Sequence, residues 1–259
     1  MVSQGYSSPA RQSREERQSS GFNRSSPLKF DEQEELIAAL REQIRHEREL
    51  EDAKIRLAAQ PDFNLMDAFQ VLDKHSKGWV TGPEIIEALG DLGSFPHKDD
   101  VYLFVRRYDK DSDGRILYSD FCDAFTAKDT LSSSALGRRN AYHVHHGYCR
   151  EHYFVRETRD LFLNTFRTHF SVEESAELLR KRLGRRPNFN VHDAFSTVDA
   201  NNNGFITKDE FRRLLCRAGV CATEKELNSL VDRYDKNADG RVSYSEFMDE
   251  ILPKSPSKN

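Results

Sequence analysis

"RYDKDSDGRILYSDF", residues 107–121, returns as "RYDKNADGRVSYSEF", residues 233–247, at an offset of 126. Counted from Asp109 or Asp235, both stretches place oxygen-bearing side chains at the third and fifth positions and glycine at the sixth. A branched aliphatic stands at the eighth position and a carboxylate at the twelfth. Outward from these stretches, residues 61–125 align without a gap onto 187–251, "PDFNLMDAF" facing "PNFNVHDAF". An ungapped match of that length marks a duplicated unit. Each copy is itself double, because the same frame begins again at Asp73 and Asp199, 36 residues earlier in each half.

Apolar residues flank each frame at helical intervals. Leu65, Ala68, Phe69 and Leu72 precede the first, and Ile85, Ala88 and Leu89 follow it. Val101, Phe104, Val105 and Tyr108 precede the second, and Phe121, Ala124 and Phe125 follow it. Val191, Ala194, Phe195 and Val198 lead into the third; Phe211, Leu214 and Leu215 leave it. Leu227, Leu230, Val231 and Tyr234 lead into the fourth; Phe247 and Ile251 leave it. Spacing of i, i+3, i+4 gives each helix one buried face. The predicted fold is mainly α, with four helix–loop–helix units in two paired lobes. On this repeated pattern the chain resembles the EF-hand proteins of the calmodulin superfamily, over about half its length. The resemblance implies calcium as the bound ion, and short β bridges joining Val80 to Ile116 and Ile206 to Val242.

Such a loop surrounds calcium with oxygens from positions 1, 3, 5, 7, 9 and 12, position 7 using its backbone carbonyl, while glycine at position 6 allows the sharp turn. The fourth loop meets every demand: Asp235, Asn237, Asp239, Ser243 and Glu246 supply side-chain oxygens and Arg241 its carbonyl. The third does so with Asp199, Asn201, Asn203, Thr207 and Glu210, and the carbonyl of Phe205. With two carboxylates among those ligands, it is expected to attract calcium less strongly. The second offers Asp109, Asp111 and Asp113, the carbonyl of Arg115, and Asp120 at position 12. Asp120 is a methylene shorter than glutamate, which costs reach toward calcium and favours the smaller magnesium ion. The first, "DKHSKGWVTGPE" over 73–84, keeps Asp73 and Glu84 but has His75 and Lys77 at positions 3 and 5. An ammonium where the cation should sit repels it by several kcal/mol in a partly desolvated loop. Loop 1 is therefore expected to keep the fold and lose the metal.

The composition divides the rest of the chain. Residues 1–30, rich in Ser, Arg and Gln, read as a disordered tail, as do 253–259. A charged leading helix is expected over 31–60, capped at Asp31 and carrying the short apolar stripe Leu36, Ile37, Leu40 and Ile44. It reads as a solvated helix, as a strut packed on the first lobe, or as a helix that docks on a partner. The first lobe then occupies 61–126, a connector 127–155, further leading helices 156–186, and the second lobe 187–252. Phe162, Phe166 and Phe170 form an aromatic stripe that reads as core or interlobe packing, with a docking surface as the alternative, since three aligned rings are costly to leave in water. Ser171 with Glu174 looks like a capping box, so a bend is expected near Phe170. The connector carries His143, His145, His146, Cys149 and His152 in no zinc spacing, and reads better as a docking loop.

Net charge of −4 does not point to nucleic acid. Four cysteines without CxxC spacing, and no secretory signal, suggest reduced thiols in an intracellular protein. No apolar run reaches the ~20 residues that span a bilayer. No Walker loop, kinase set, GxSxG or HExxH is present, so no enzyme and no small-molecule substrate are expected. Three methionines against seventeen phenylalanines disfavour the adaptable Met-rich groove of a sensor. The charged leading helices and the "RYDKDSDGRILYSDFCDAF" stretch are similar to EF-hand proteins of cilia and flagella. That resemblance implies a non-enzymatic scaffold in the cytoplasm or cytoskeleton, docked on an assembly such as axonemal microtubules, with tubulin or axonemal proteins as partners. The alternative is a soluble calmodulin-like calcium sensor of an enzyme or motor.

Overall fold

The computed structural model describes residues 28–140 and 153–255. The tail stretches 1–27 and 256–259, and the histidines and Cys149 of the connector, lie outside the described residues. Among these residues the architecture is helical, with two small antiparallel ribbons, as the repeat implied. The first half runs α1 (Phe30–Ala58), α2 (Leu65–Leu72), β1 (Trp79–Thr81), α3 (Gly82–Asp91), α4 (Lys98–Tyr108), β2 (Arg115–Leu117) and α5 (Tyr118–Phe125). Helix α6 (Thr130–Gly137) stands in the connector region. The second half repeats the order as α7 (Arg156–Gly184), α8 (Val191–Val198), β3 (Phe205–Ile206), α9 (Lys208–Arg217), α10 (Glu224–Tyr234), β4 (Val242–Ser243) and α11 (Tyr244–Ile251). No helix among the described residues is long and apolar enough to cross a membrane.

Local chemistry sets the helix starts. Asn64 and Asn190, in the repeated "FN" pairs, cap α2 and α8 by accepting from the backbone N–H groups of Asp67 and His192 at 2.8 and 2.9 Å. The ribbons pair Val80 with Ile116 and Ile206 with Val242, as expected, and all four side chains are fully buried.

The leading helices differ from expectation in three ways. Helix α1 starts at Phe30 behind Lys29, so Asp31 lies in its first turn and does not cap it. Helix α7 is one continuous 29-residue helix; Ser171 and Glu174 sit in mid-helix and no bend separates the two stretches. The third difference is where the helices go. Leu36, Ile37, Leu40 and Ile44 of α1, with Leu28 before it, join the core of the second lobe. Phe162, Phe166 and Phe170 of α7 join the core of the first lobe beside Phe63, Phe104 and Phe125. Only the far ends return home: Leu57 and Ala58 pack in the first lobe, Leu183 in the second. Each leading helix thus fills the hollow of the other half's lobe. Full burial of one such large apolar side chain is worth about 1.5–3 kcal/mol, which makes the exchange a major source of stability.

Where α1 and α7 cross, the exchange is symmetric to the residue. Tyr108 places its hydroxyl 3.1 Å from His169 Nδ1, and Tyr234, its repeat equivalent, donates to Gln43 Oε1 at 2.8 Å. At the crossing itself lie Glu47 and Glu173, again 126 apart, with Arg107 and Arg233. Arg107 bonds Glu47 at 2.7 Å and Glu173 at 2.8 Å; Arg233 bonds Glu47 at 2.7 Å and Glu173 at 2.9 Å. The charged residues of α1 are therefore not all solvated: Arg45 and Glu49 stand exposed, but Glu47 and Lys54 are buried. On the second-lobe side the cluster continues: Glu250 accepts from Arg233 Nε at 2.8 Å, from Arg180 Nη2 at 2.5 Å and from Lys254 Nζ at 2.6 Å.

Burial alone would raise the Glu173 carboxyl, but Arg233, Arg107 and Arg180 outweigh it and bring it down from 4.5 to about 2. Glu250 is held low in the same way, against burial, by Arg180, Arg233 and Lys254. A carboxyl depressed on folding adds stability that is fully present above its unfolded value and lost as pH falls through its folded value. Metal-free protein should therefore lose stability steadily from about pH 4.5 downward, read as the urea midpoint across a pH series. A midpoint unchanged down to roughly pH 3 would contradict the cluster's ionisation.

Candidate metal centres

Each loop begins where its entering helix ends. The first-position aspartate folds its carboxylate back over the loop and accepts two backbone N–H groups. Asp109 takes those of Asp113 and Gly114 at 3.3 and 2.8 Å; Asp199 takes those of Asn203 and Gly204 at 3.2 and 2.9 Å. Asp235 takes those of Asp239 and Gly240 at 3.2 and 2.7 Å, and Asp73 those of Lys77 and Gly78 at 3.0 and 2.7 Å. The turn requires positive φ at the sixth residue, which Gly78, Gly114, Gly204 and Gly240 all show at +79° to +86°. Loop 1 thus keeps the backbone of its siblings.

Loops 2, 3 and 4 add a ladder that loop 1 lacks. The third-position oxygen accepts from the fifth N–H: Asp111 at 3.4 Å, Asn201 at 2.9 Å and Asn237 at 2.9 Å. The fifth accepts from the seventh N–H: Asp113 at 2.8 Å, Asn203 at 2.9 Å and Asp239 at 2.8 Å. These bonds fix the side chains of positions 3 and 5 against the loop backbone. Asp109, Asp111 and Asp113 each have a carboxylate oxygen within 4.8 Å of the others'.

The twelfth residue has two duties. In loops 3 and 4 one carboxylate oxygen caps the exiting helix, Glu210 accepting from the N–H and hydroxyl of Thr207 and Glu246 from those of Ser243. The other oxygen faces the loop's needs. Glu210 Oε1 is buried and makes no hydrogen bond, and Arg213 lies 3.8 Å from it. Glu246 Oε1 reaches across its loop to the N–H groups of Lys236 and Asn237 at 3.1 and 3.3 Å. An oxygen buried without a hydrogen bond costs free energy that a cation would recover, so the third loop fits a divalent ion.

Loop 1 resolves the same problem internally. Glu84 caps α3 through Thr81 with one oxygen and takes the Lys77 ammonium at 2.5 Å with the other. Lys77 also lies 3.6 Å from the centroid of the Trp79 ring. The lysine supplies the positive charge that the loop's carboxylates need, and no second cation is required. In loop 2, Leu117 has no hydroxyl, so Asp120 accepts only its N–H, at 3.0 Å. Burial pushes the Asp120 carboxyl up; the Leu117 N–H and Lys110 oppose this, and Asp123 and Asp111 add to it. The carboxylates of Asp109, Asp111 and Asp113 converge in the same loop, so the second loop fits a divalent ion too.

The charged crossing lies outside the loops, where loop chemistry alone does not reveal it. A signal was present, since Glu47 and Glu173, and Gln43 and His169, stand at the same offset of 126 as the loops and extend the repeat into the leading helices.

Comparison with known proteins agrees with this geometry. A family model described as an EF-hand domain pair matches residues 62–126 and 189–252. The chain is similar to putative calmodulin-like protein 6 of Oryza sativa subsp. japonica, at 24% identity over 181 residues, 70% of this chain and 77% of that one. It is similar to probable calcium-binding protein CML11 of the same plant, at 26% over 187 residues, 72% of this chain and 65% of that one. Calcium-binding protein 8 of Homo sapiens matches at 36% identity over 64 residues, about a quarter of each chain.

Proposed function

Because the chain is an EF-hand calcium-binding protein, we propose that it works as a non-enzymatic scaffold whose lobes are closed on its own helices. Calcium is held by Asp199, Asn201, Asn203, Thr207, Glu210 and the Phe205 carbonyl in loop 3. In loop 4 it is held by Asp235, Asn237, Asp239, Ser243, Glu246 and the Arg241 carbonyl. Asp109, Asp111, Asp113, Asp120 and the Arg115 carbonyl hold calcium or magnesium in loop 2, and loop 1 holds none. The bound ion adds two positive charges that gather these oxygens and brace each pair of helices.

The observation that carries the scaffold reading is the helix exchange. A sensor needs a groove that calcium makes available to a target helix. Here both hollows already contain amphipathic helices of the same chain, and Leu36, Leu40, Phe162 and Phe166 in them are at most 1% exposed. The partner we propose is a cytoskeletal assembly of the ciliary microtubule kind. That part rests on the sequence resemblance of the loop region and is tested by co-sedimentation with microtubules, which should enrich the chain in the pellet.

Calorimetry of the full chain with Ca²⁺ should record two sites in the second lobe and a weaker one in loop 2. Glu246→Gln should remove one of the strong sites, and Asp120→Glu should strengthen the weak one. A hydrophobic dye added in parallel should respond little to calcium. A large calcium-induced rise would favour the sensor, and absence of binding heat would defeat both readings.

A further inference from the structure

The charged crossing touches two of the three candidate metal loops. Arg107 lies two residues before Asp109, at the end of α4, which enters loop 2. Arg233 lies two residues before Asp235, at the end of α10, which enters loop 4. Both guanidinium groups share the same two carboxylates, Glu47 and Glu173. We infer that ion binding in loop 4 and ion binding in loop 2 are coupled through this shared clamp, although the loops belong to different lobes. The inference rests on the calcium assignments proposed above.

The physical link can be followed atom by atom. An ion in a helix–loop–helix unit fixes the angle between the entering and exiting helices. In the fourth unit that angle is spanned directly: Arg233 on α10 donates through Nε to Glu250 on α11 at 2.8 Å. The other nitrogens of the same guanidinium hold Glu47 and Glu173 at 2.7 and 2.9 Å. Those carboxylates, on α1 and α7, hold Arg107 at the end of α4. A change of angle in the fourth unit therefore moves a group bonded to both leading helices, and these hold the entering helix of loop 2. The link is one-sided in construction, because the residue equivalent to Glu250 in the first half is Ala124, which has nothing to offer Arg107. Its thermodynamic effect is reciprocal regardless of construction. Both loops are formed in the conformation where the clamp is complete, so an ion favouring that conformation at one loop favours it at the other. The coupling is positive.

The protein carries its own reporter. Trp79 is the single tryptophan, and it faces Leu117 of loop 2 across the first ribbon. The guanidinium of Arg115, at position 7 of loop 2, lies 4.3 Å from its ring centroid. Calcium titration of the full chain followed by Trp79 emission therefore reads loop 2. Coupling between sites is typically 5- to 150-fold in affinity. With loop 4 disabled by Glu246→Gln, the Trp79 midpoint should move to at least about fivefold higher calcium. In a Glu250→Gln background, where the clamp remains but its tie to α11 is weakened, the same substitution should move it less than about twofold. Glu47→Gln should likewise shrink the shift, with circular dichroism confirming the fold; if that variant does not fold, the Glu250→Gln comparison decides.

A Trp79 midpoint indifferent to Glu246→Gln would overturn the inference, as would a shift that persists undiminished with Glu250→Gln. A silent Trp79 alongside calorimetric binding in the second lobe would also overturn it, while leaving the calcium-scaffold reading intact. Loss of all calcium binding would instead strike at that reading.

Discussion

Substituting Arg233→Met lowers the unfolding free energy of the metal-free chain by about 3–5 kcal/mol, the expected cost of removing one partner from a buried ion-pair cluster. The arginine side chain is 2% exposed and bonds Glu47, Glu173 and Glu250 together. Methionine fills much of the same space, so the cost comes from charge and not from a cavity. It leaves three buried carboxylates to be served by Arg107, Arg180 and Lys254, which already have bonds of their own. Urea unfolding followed by circular dichroism measures the loss. Arg45→Met is the control, because Arg45 pairs with Glu42 and Glu49 on the exposed face of the same leading helix and should show no resolvable change. A loss below about 1 kcal/mol for Arg233→Met would mean that water or rearrangement serves the stranded acids.

The second large effect comes from Phe166→Ala, expected to cost about 3–5 kcal/mol. Phe166 is 1% exposed, and its ring centroid lies 4.8–5.8 Å from those of Phe125, Phe162, Phe104 and Phe170. Deleting it opens a hole in a wall of aromatic rings, which cannot close without moving several of them. The residue belongs to the second half of the sequence, yet the damage falls on the first lobe. Thermal unfolding followed by Trp79 emission, which reports the first lobe, should show the lowered midpoint. If instead Trp79 were unaffected while second-lobe signals melted early, the helix would be packing on its own lobe and the exchange would be refuted.

The loops and ribbons were legible because their chemistry is local. A turn that needs glycine at the sixth place, oxygens at fixed intervals and a β-branched residue at the eighth can be recognised within twelve residues, and four occurrences reinforced one another. Lys77 was legible for the same reason: an ammonium at position 5 has only its own loop to act upon, and it bonds Glu84 there. The destinations of the leading helices were not legible. An apolar stripe such as Leu36, Ile37, Leu40 and Ile44 says that one face is buried but not against what. The charged residues were misleading because an isolated glutamate is normally a solvated one. Glu47 is buried only because its partners arrive from 60 and 186 residues away. The bend expected at Phe170 failed because Ser171 and Glu174 imitate a helix start, whereas the buried run Phe170, Glu173, Glu177 and Arg180 has partners along its whole length and keeps the helix going.

Crossing of the two long helices also decides what a half-length product would be. Residues of one repeat alone would carry a lobe with an uncovered hollow and a helix with nowhere of its own to lie, and the match for both would be a second half-length molecule. Joining the repeats in tandem turns that two-molecule handshake into an intramolecular one, where the mate is always present at the high effective concentration a tether confers. Assembly of the pair thereby becomes independent of how much protein the cell makes.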